Sequence, residues 1–203
     1  MKLKYLFILC LFTFAVNAQI ADLSKLSRGQ LYSYDIIKDA KNNIRGYFFL
    51  FESDKVAKET FELEYVVLDE NLTKVTNGFI TEMKFESWLV DAKGIDVEVS
   101  LYKNKLLLHF ADQFEGMQAF NRYRTLDIKT NAISEPFIFN NDSLQVNPVF
   151  DRKMRNVANN ESSPITYFNG VGLVVDAATM DKRKLLKKAF VHYDDNLKRD
   201  WQY

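Results

Sequence analysis

The chain has 203 residues, 47% of them apolar and 14% aromatic, with 27 basic and 27 acidic side chains. That is enough apolar material for one domain with a sizeable core, and it excludes a disordered chain, while 7 Gly and 3 Pro exclude a collagenous or low-complexity one. Seventeen Phe and ten Tyr lean the chain towards β structure, and the balanced charge gives no electrostatic case for nucleic acid or an anionic membrane surface.

The first predicted element is a secretory signal peptide over residues 1–18. Lys2 and Lys4 precede an apolar stretch from Tyr5 to Val16, too short for a permanent bilayer-spanning helix, and Val16-Asn17-Ala18 offers a small-residue cleavage site. Gln19 is then the mature N-terminus. Cys10 does not make a lipobox, because Leu9 stands where a small residue is needed. Since Cys10 is the only cysteine, the mature chain has no disulfide and no thiolate ligand and must rely on its core. Removing Lys2 and Lys4 leaves 25 basic against 27 acidic residues, a net charge of −2.

After a mixed entry segment, Leu31 to Ile37 reads as a strand closed by the turn chemistry of Asp39 to Asn43. Tyr47 to Phe51 is an unbroken aromatic and aliphatic run, as expected of a strand covered on both faces. Glu52 to Thr60 reads as a polar loop. Phe61 to Leu68 begins as a strict alternation and ends wholly apolar, and Asp69-Glu70-Asn71-Leu72 is a turn. Thr73 to Lys84 is a strand with a turn or bulge expected at Asn77-Gly78, and Phe85 to Val90, containing Trp88, leads to a turn at Asp91 to Gly94. Ile95, Val97, Val99 and Leu101 alternate and face inward. Leu106 to Phe110 and Gln118 to Leu126 are strands flanking a loop at Phe114-Glu115-Gly116, followed by a turn at Asp127 and a strand over Asn131 to Phe139.

Residues 131–169 are the loosest part, with short strands at Phe137-Ile138-Phe139 and Val146 to Phe150, and one basic cluster of Arg152, Lys153 and Arg155 that reads as a solvated loop. Thr179 to Val191 taken alone has the pattern of an amphipathic helix capped by Thr179. Comparison with the earlier segments favours a loop from Asp176 to Lys184 and then a strand. The chain ends at Tyr203, where a further strand of that unit is expected, so the unit reads as incomplete.

These elements repeat. The triplets Phe48-Phe49-Leu50, Leu106-Leu107-Leu108 and Leu173-Val174-Val175 stand 21, 20 and 19 residues before the turn aspartates Asp69, Asp127 and Asp194. Tyr65, Tyr123 and Phe190 stand four before, and Leu68, Leu126 and Tyr193 one before. The spacings of 58 and 67 residues suit four-stranded antiparallel meanders. The expected fold is therefore all-β, with three propeller-like units over about 31–84, 95–139 and 145–203 in one domain, 19–203. A single β-barrel or sandwich is the alternative. Three blades are fewer than the about four to eight of closed propellers, so exposed blade edges and a lateral apolar face should favour self-association.

The signal peptide, the aromatic-rich strands and the turn Leu68-Asp69-Glu70-Asn71-Leu72 together resemble uncharacterised exported β-propeller-like repeat proteins of Gram-negative bacteria. The resemblance runs from Tyr32 onward. It implies a location and an architecture, and no catalytic residues. The chain departs from better-known propellers in lacking both the Gly-His and Trp-Asp signature and the sialidase-type box.

Chemistry is sparse. His109 and His192 sit among apolar strand residues and read as strand-face side chains. Asp69, Asp127 and Asp194 read as turn acceptors; Asp69-x-Asn71 and Asp194-x-Asn196 lack the glycine and distal glutamate of a calcium loop. Glu62 with Glu64, and Asp96 with Glu98, share a strand side through alternation alone. The sequons at Asn71, Asn141 and Asn160 matter only in a glycosylating host. The sequence therefore points to no catalytic, metal-binding or cofactor-binding residue. The expected role is an exported binding or scaffold protein of the cell envelope, in the periplasm, at the outer surface or outside the cell, with a protein or glycan ligand and no lasting membrane span. The alternative is the non-catalytic propeller part of a longer exported hydrolase or sensor.

Overall fold

The computed structural model describes residues 25–57, 60–83, 94–114, 117–140, 143–146, 165–168, 172–181, 184–194 and 196–203. They form three antiparallel sheets, each a meander in chain order. The first holds β1 (Gln30–Lys38), β2 (Ile44–Ala57), β3 (Thr60–Asp69) and β4 (Lys74–Met83). The second holds β5 (Gly94–Tyr102), β6 (Lys105–Phe114), β7 (Met117–Asp127), β8 (Phe137–Asn140) and β9 (Ser143–Val146). The third holds β10 (Ile165–Phe168), β11 (Gly172–Asp181), β12 (Lys184–Tyr193) and β13 (Arg199–Gln202). The fold is all-β, with no helix among the described residues. No described sheet closes on itself, so the single barrel does not hold.

Several boundaries differ from those expected. The polar stretches after Phe51 and Val175 are strand: Lys55 pairs with Phe61 and Ala57 with Thr60, and Thr179 pairs with Lys187. Each hairpin runs past its apolar segment because the backbone ladder needs no apolar side chain to continue. The described residues from Thr179 to Val191 are strand and not helix. The period is two there, with Ala189, Val191 and Tyr193 buried on one face and Phe190 exposed on the other. The third unit does contain a fourth strand, the short β13, whose Trp201 pairs with His192. Of Asn131 to Phe139 only the end is strand, and β9 belongs to the second sheet, so the second unit extends past the expected boundary at 145. Asn77-Gly78 is neither turn nor bulge: β4 pairs continuously there, with Gly78 opposite Tyr65. The signal peptide with Cys10, Trp88 in its 85–90 segment, Arg152, Lys153, Arg155, Asn141 and Asn160 lie outside the described residues.

The three apolar triplets do lie on the second strand of each sheet, but the gapless alignment slips by one residue in the first. Asp127 pairs with Lys105, whereas Asp69 pairs with Gly46, one residue further back. The equivalent of Leu106 is therefore Tyr47, not Phe48. Because side chains alternate, a slip of one exchanges the faces. With the register corrected, every sheet uses its two faces in the same way. Phe48, Leu50, Tyr65 and Val67 of the first sheet pack against Leu106, Leu108, Phe110 and Leu126 of the second. Leu107, Tyr123 and Phe137 on the opposite face of the second sheet pack against Leu173, Val175, Val191 and Tyr193 of the third. The middle sheet is thus covered on both sides, which is why Leu106, Leu107 and Leu108 are all buried.

The first strands of the sheets lie side by side, β1 against β5 and β5 against β10. The outer edge of β5 would leave amides unpaired, and side chains of β1 take them: Val99 N donates to Asp35 Oδ2 at 2.7 Å and Ile95 N to the Tyr32 hydroxyl at 2.6 Å. At the turn end, Asn131 bridges the same two sheets. Its Oδ1 accepts from the Tyr65 hydroxyl at 3.0 Å and from Thr76 Oγ1 at 2.6 Å, while its Nδ2 donates to the Asn77 carbonyl at 2.9 Å. Gly78 makes room for this, since a Cβ there would stand 2.5 Å from the Tyr65 hydroxyl oxygen.

Deeper in the same junction lies an ion network. Glu82 of β4 is buried, and its Oε2 accepts from Arg122 Nε and its Oε1 from Arg124 Nε, both at 2.5 Å. Arg124 also donates to the carbonyls of Ser134 and Thr81, and Arg122 lies over the Phe110 ring at 5.7 Å. A carboxylate removed from a buried cluster leaves uncompensated cations, so Glu82→Ala should cost about 3–5 kcal/mol. Asn131→Ala should cost less, about 1–3 kcal/mol, from the unpaired Tyr65 hydroxyl. Urea unfolding of both variants checks the order, and an equal loss would refute it.

Candidate binding faces

The aspartates singled out in the sequence act as turn acceptors. Asp69 Oδ1 accepts from Asn71 N at 2.9 Å and Thr73 N at 2.8 Å; Asp194 Oδ1 accepts from Asn196 N and Lys198 N, both at 2.9 Å. Asp39 repeats this geometry with Lys41 N and Asn43 N, a fourth member that the triplet spacing did not point to. Asp127 accepts from Lys129 N and Thr130 N, one residue tighter. In each turn one residue takes a left-handed φ of 58° to 65°: Asn42, Leu72, Asn131 and Leu197. Asn tolerates that conformation, whereas leucine is strained in it. In each of these turns one carboxylate oxygen, Oδ1, accepts from the backbone amides that follow it, which is turn chemistry.

Both histidines have partners on their strands. His109 lies on the face of the second sheet turned to the third, stacked on Tyr123 at 4.7 Å, with Nε2 2.8 Å from Asn121 Oδ1 and Nδ1 3.2 Å from Glu98 Oε2. His192 is buried on the far face of the third sheet, stacked on Trp201 at 5.0 Å, with Nδ1 3.1 Å from Asp200 Oδ2. Gly172, at a φ of 126°, lets the imidazole lie flat, since a Cβ there would be 2.6 Å from Nε2. His109 faces the junction of the second and third sheets and His192 the far side of the third, so the two do not converge. Among the described residues no group of three or more His, Cys, Asp and Glu is arranged to hold a metal ion. Of the carboxylates, Glu64 is engaged by Ser27 Oγ at 2.5 Å and Asn77 Nδ2 at 3.2 Å, and Glu98 faces His109.

What the geometry leaves for a partner is two sheet faces at the ends of the stack. The outer face of the first sheet carries a stacked ladder, Tyr34 to Phe49 at 6.4 Å and Phe49 to Phe51 at 6.3 Å. Leu26 packs on part of it, beside Phe51, Val66 and Leu68. Tyr34 remains 65% exposed and Phe79 56%. On the far face of the third sheet Val174 and His192 are buried, while Phe190 is 43% and Trp201 42% exposed. Sequence reasoning expected a lateral apolar face but not which residues form it, because apolar strands alone do not say which side lacks a neighbour. It also missed Glu82, Arg122 and Arg124, although Glu82 shares the parity of buried Ile80, and Arg122 and Arg124 that of Leu126. No helix among the described residues is long and apolar enough to cross a membrane.

Two predictions concern the turns. Leu72→Gly relieves a left-handed leucine and should stabilise by about 0.5–1 kcal/mol in urea unfolding. Leu197→Gly should gain less, because Leu197 also packs against the second core cluster. The Asp39 carboxyl is pulled down to about 2, chiefly by the Asn43 side-chain hydrogen bond. Asp127 and Asp194 are lowered first by backbone hydrogen bonds from Thr130 and Lys198. A lowered native pKa means that the native state binds fewer protons than the unfolded chain. The stabilisation is therefore present above about pH 4 and is lost as pH falls, for Asp39 through about 2. NMR titration of the three carboxyls checks this; midpoints at the unperturbed value would refute it.

No curated protein and no solved structure matches the chain. A match over residues 1–203 shows that the chain belongs to the DUF6770 family, a family of unknown function.

Proposed function

We propose that this is an exported scaffold protein of the cell envelope, built of propeller-like blades, that takes a protein partner on its open sheet faces. The observation that carries this reading is the pair of half-exposed aromatic faces, Tyr34 with Phe79 and Phe190 with Trp201, mounted on rigid hydrogen-bonded sheets. Exposed apolar patches of this kind mark interaction sites more often than chance decoration. Export rests on the Lys2 and Lys4 n-region, the apolar run and the Val16-Asn17-Ala18 site.

A protein partner suits these faces better than a glycan. Each is the positional equivalent of a face that is covered by another β-sheet within the chain. A sugar site would need convergent polar groups around the rings. On the third sheet the His192 Nδ1 is already directed to Asp200.

The test uses the full chain in a Gram-negative host, with Tyr34 or Phe190 replaced by a photoreactive phenylalanine analogue. Irradiation of intact cells should give discrete protein adducts from both positions on a product that begins at Gln19. Retention of the leader, or adducts that vanish on glycan digestion, would overturn the reading.

A further inference from the structure

The tip of the turn between β3 and β4 carries chemistry that the fold does not use. Asn71, Leu72 and Thr73 form a sequon, and all three are exposed. The backbone N–H of Asn71 is held by Asp69 Oδ1 at 2.9 Å, whereas its side-chain carboxamide makes no hydrogen bond among the described residues. Asn71 stands past the end of β3 and before the start of β4, so a group attached there extends the end of the sheet, away from Phe79, which pairs further along opposite Glu64. Of the sequons at Asn71, Asn141 and Asn160, only the first has an acid two residues ahead of the asparagine: Asp69, against Phe139 and Ala158.

We propose that Asn71 is the acceptor of an N-linked oligosaccharide, presented by the Asp-led turn. In the transfer, the bond from the anomeric carbon of a lipid-linked oligosaccharide to its diphosphate breaks, and a bond from that carbon to Asn71 Nδ2 forms. The polyprenyl diphosphate leaves with the electron pair, and one amide proton passes to a base of the transferase. The inference rests on the export reading above, because the leader delivers the chain to the side of the membrane where such a donor is used. A transferase must turn the carboxamide and hold the hydroxyl two residues on, and the exposure of Asn71 and Thr73 allows both. The segment must leave its turn to enter a cleft. Opening relieves Leu72, which sheds a disfavoured left-handed φ of 65°. It also frees the Asp69 carboxylate from the amides of Asn71 and Thr73 for a charge-assisted contact with a cationic cleft.

The turn at Asp194 is an internal control. Asp194 N donates to the Lys198 carbonyl and Leu197 N to the Asp194 carbonyl, both at 2.9 Å, as Asp69 N does to the Thr73 carbonyl at 2.9 Å and Leu72 N to the Asp69 carbonyl at 3.1 Å. Leu197 has a φ of 63°, and Asn196 is exposed. What this turn lacks is the hydroxyl, since Lys198 stands where Thr73 stands in the first.

The experiment purifies the chain from the envelope of the organism that encodes it and weighs its peptides. The peptide holding Asn71 should be heavier by one oligosaccharide, which an N-glycan amidase removes while leaving an aspartate in place of the asparagine. Asn71→Gln and Thr73→Val, returned to the same gene, should each abolish the added mass, and Asn71→Gln should unfold in urea like the deglycosylated parent. Lys198→Thr should add a second oligosaccharide, at Asn196. A bare Asn71 on a chain that begins at Gln19 overturns the inference and leaves the export reading standing. A bare Asn71 on a chain that keeps its leader overturns both. Sugar that persists in Asn71→Gln overturns the assignment to this residue, and a Lys198→Thr chain with a bare Asn196 overturns the role given to the turn.

Discussion

Glu82 sits between the first two sheets with two arginines on its carboxylate, and the arrangement ties together parts of the chain about forty residues apart. The desolvation cost of such a cluster is offset only when every partner is in place. That makes the network a poor source of net stability and a strong constraint on geometry. Arg124 extends it to the carbonyls of Thr81 and Ser134, so the strand carrying Glu82 and the segment after Asp127 are fixed relative to each other. Any sliding of one sheet over the other would strand a charge in the core.

Around that fixed point the junction is tied at two other places by hydrogen bonds outside the ion network. Asp35 and Tyr32 take the edge amides of β5, and Asn131 joins Tyr65 to β4. Each tie joins side chain to side chain or to backbone across sheets, where a ladder hydrogen bond is geometrically unavailable. The described contacts between the second and third sheets are of another character, dominated by Leu107, Tyr123, Leu173, Val175 and Val191. The stack therefore has a junction specified by polar groups followed by one specified by shape.

The faces at the two ends of the stack keep aromatic side chains partly exposed, Tyr34 and Phe79 on one and Phe190 and Trp201 on the other. Leu26 on the outer face of the first sheet and Trp201 on the far face of the third reduce the exposed area without removing it.

The sequence by itself determined the all-β class and the three meanders, and it marked Leu106 to Leu108 as buried throughout, because that run has no solvated side at strand periodicity. It also determined the role of the turn aspartates, since a short carboxylate can accept from amides two to four residues on without help from elsewhere. Face and register were beyond it. Counting back from Asp69 gave an alignment without gaps, yet one extra residue in the first hairpin exchanges the sides of Phe48 and Phe49, and only strand pairing reveals the exchange. Strand length was hidden too, because β2 and β11 continue through polar residues on backbone hydrogen bonds alone. The partners of Glu82 and the two uncovered faces are properties of which sheets meet, and sequence periodicity carries no information about the neighbour a face will find.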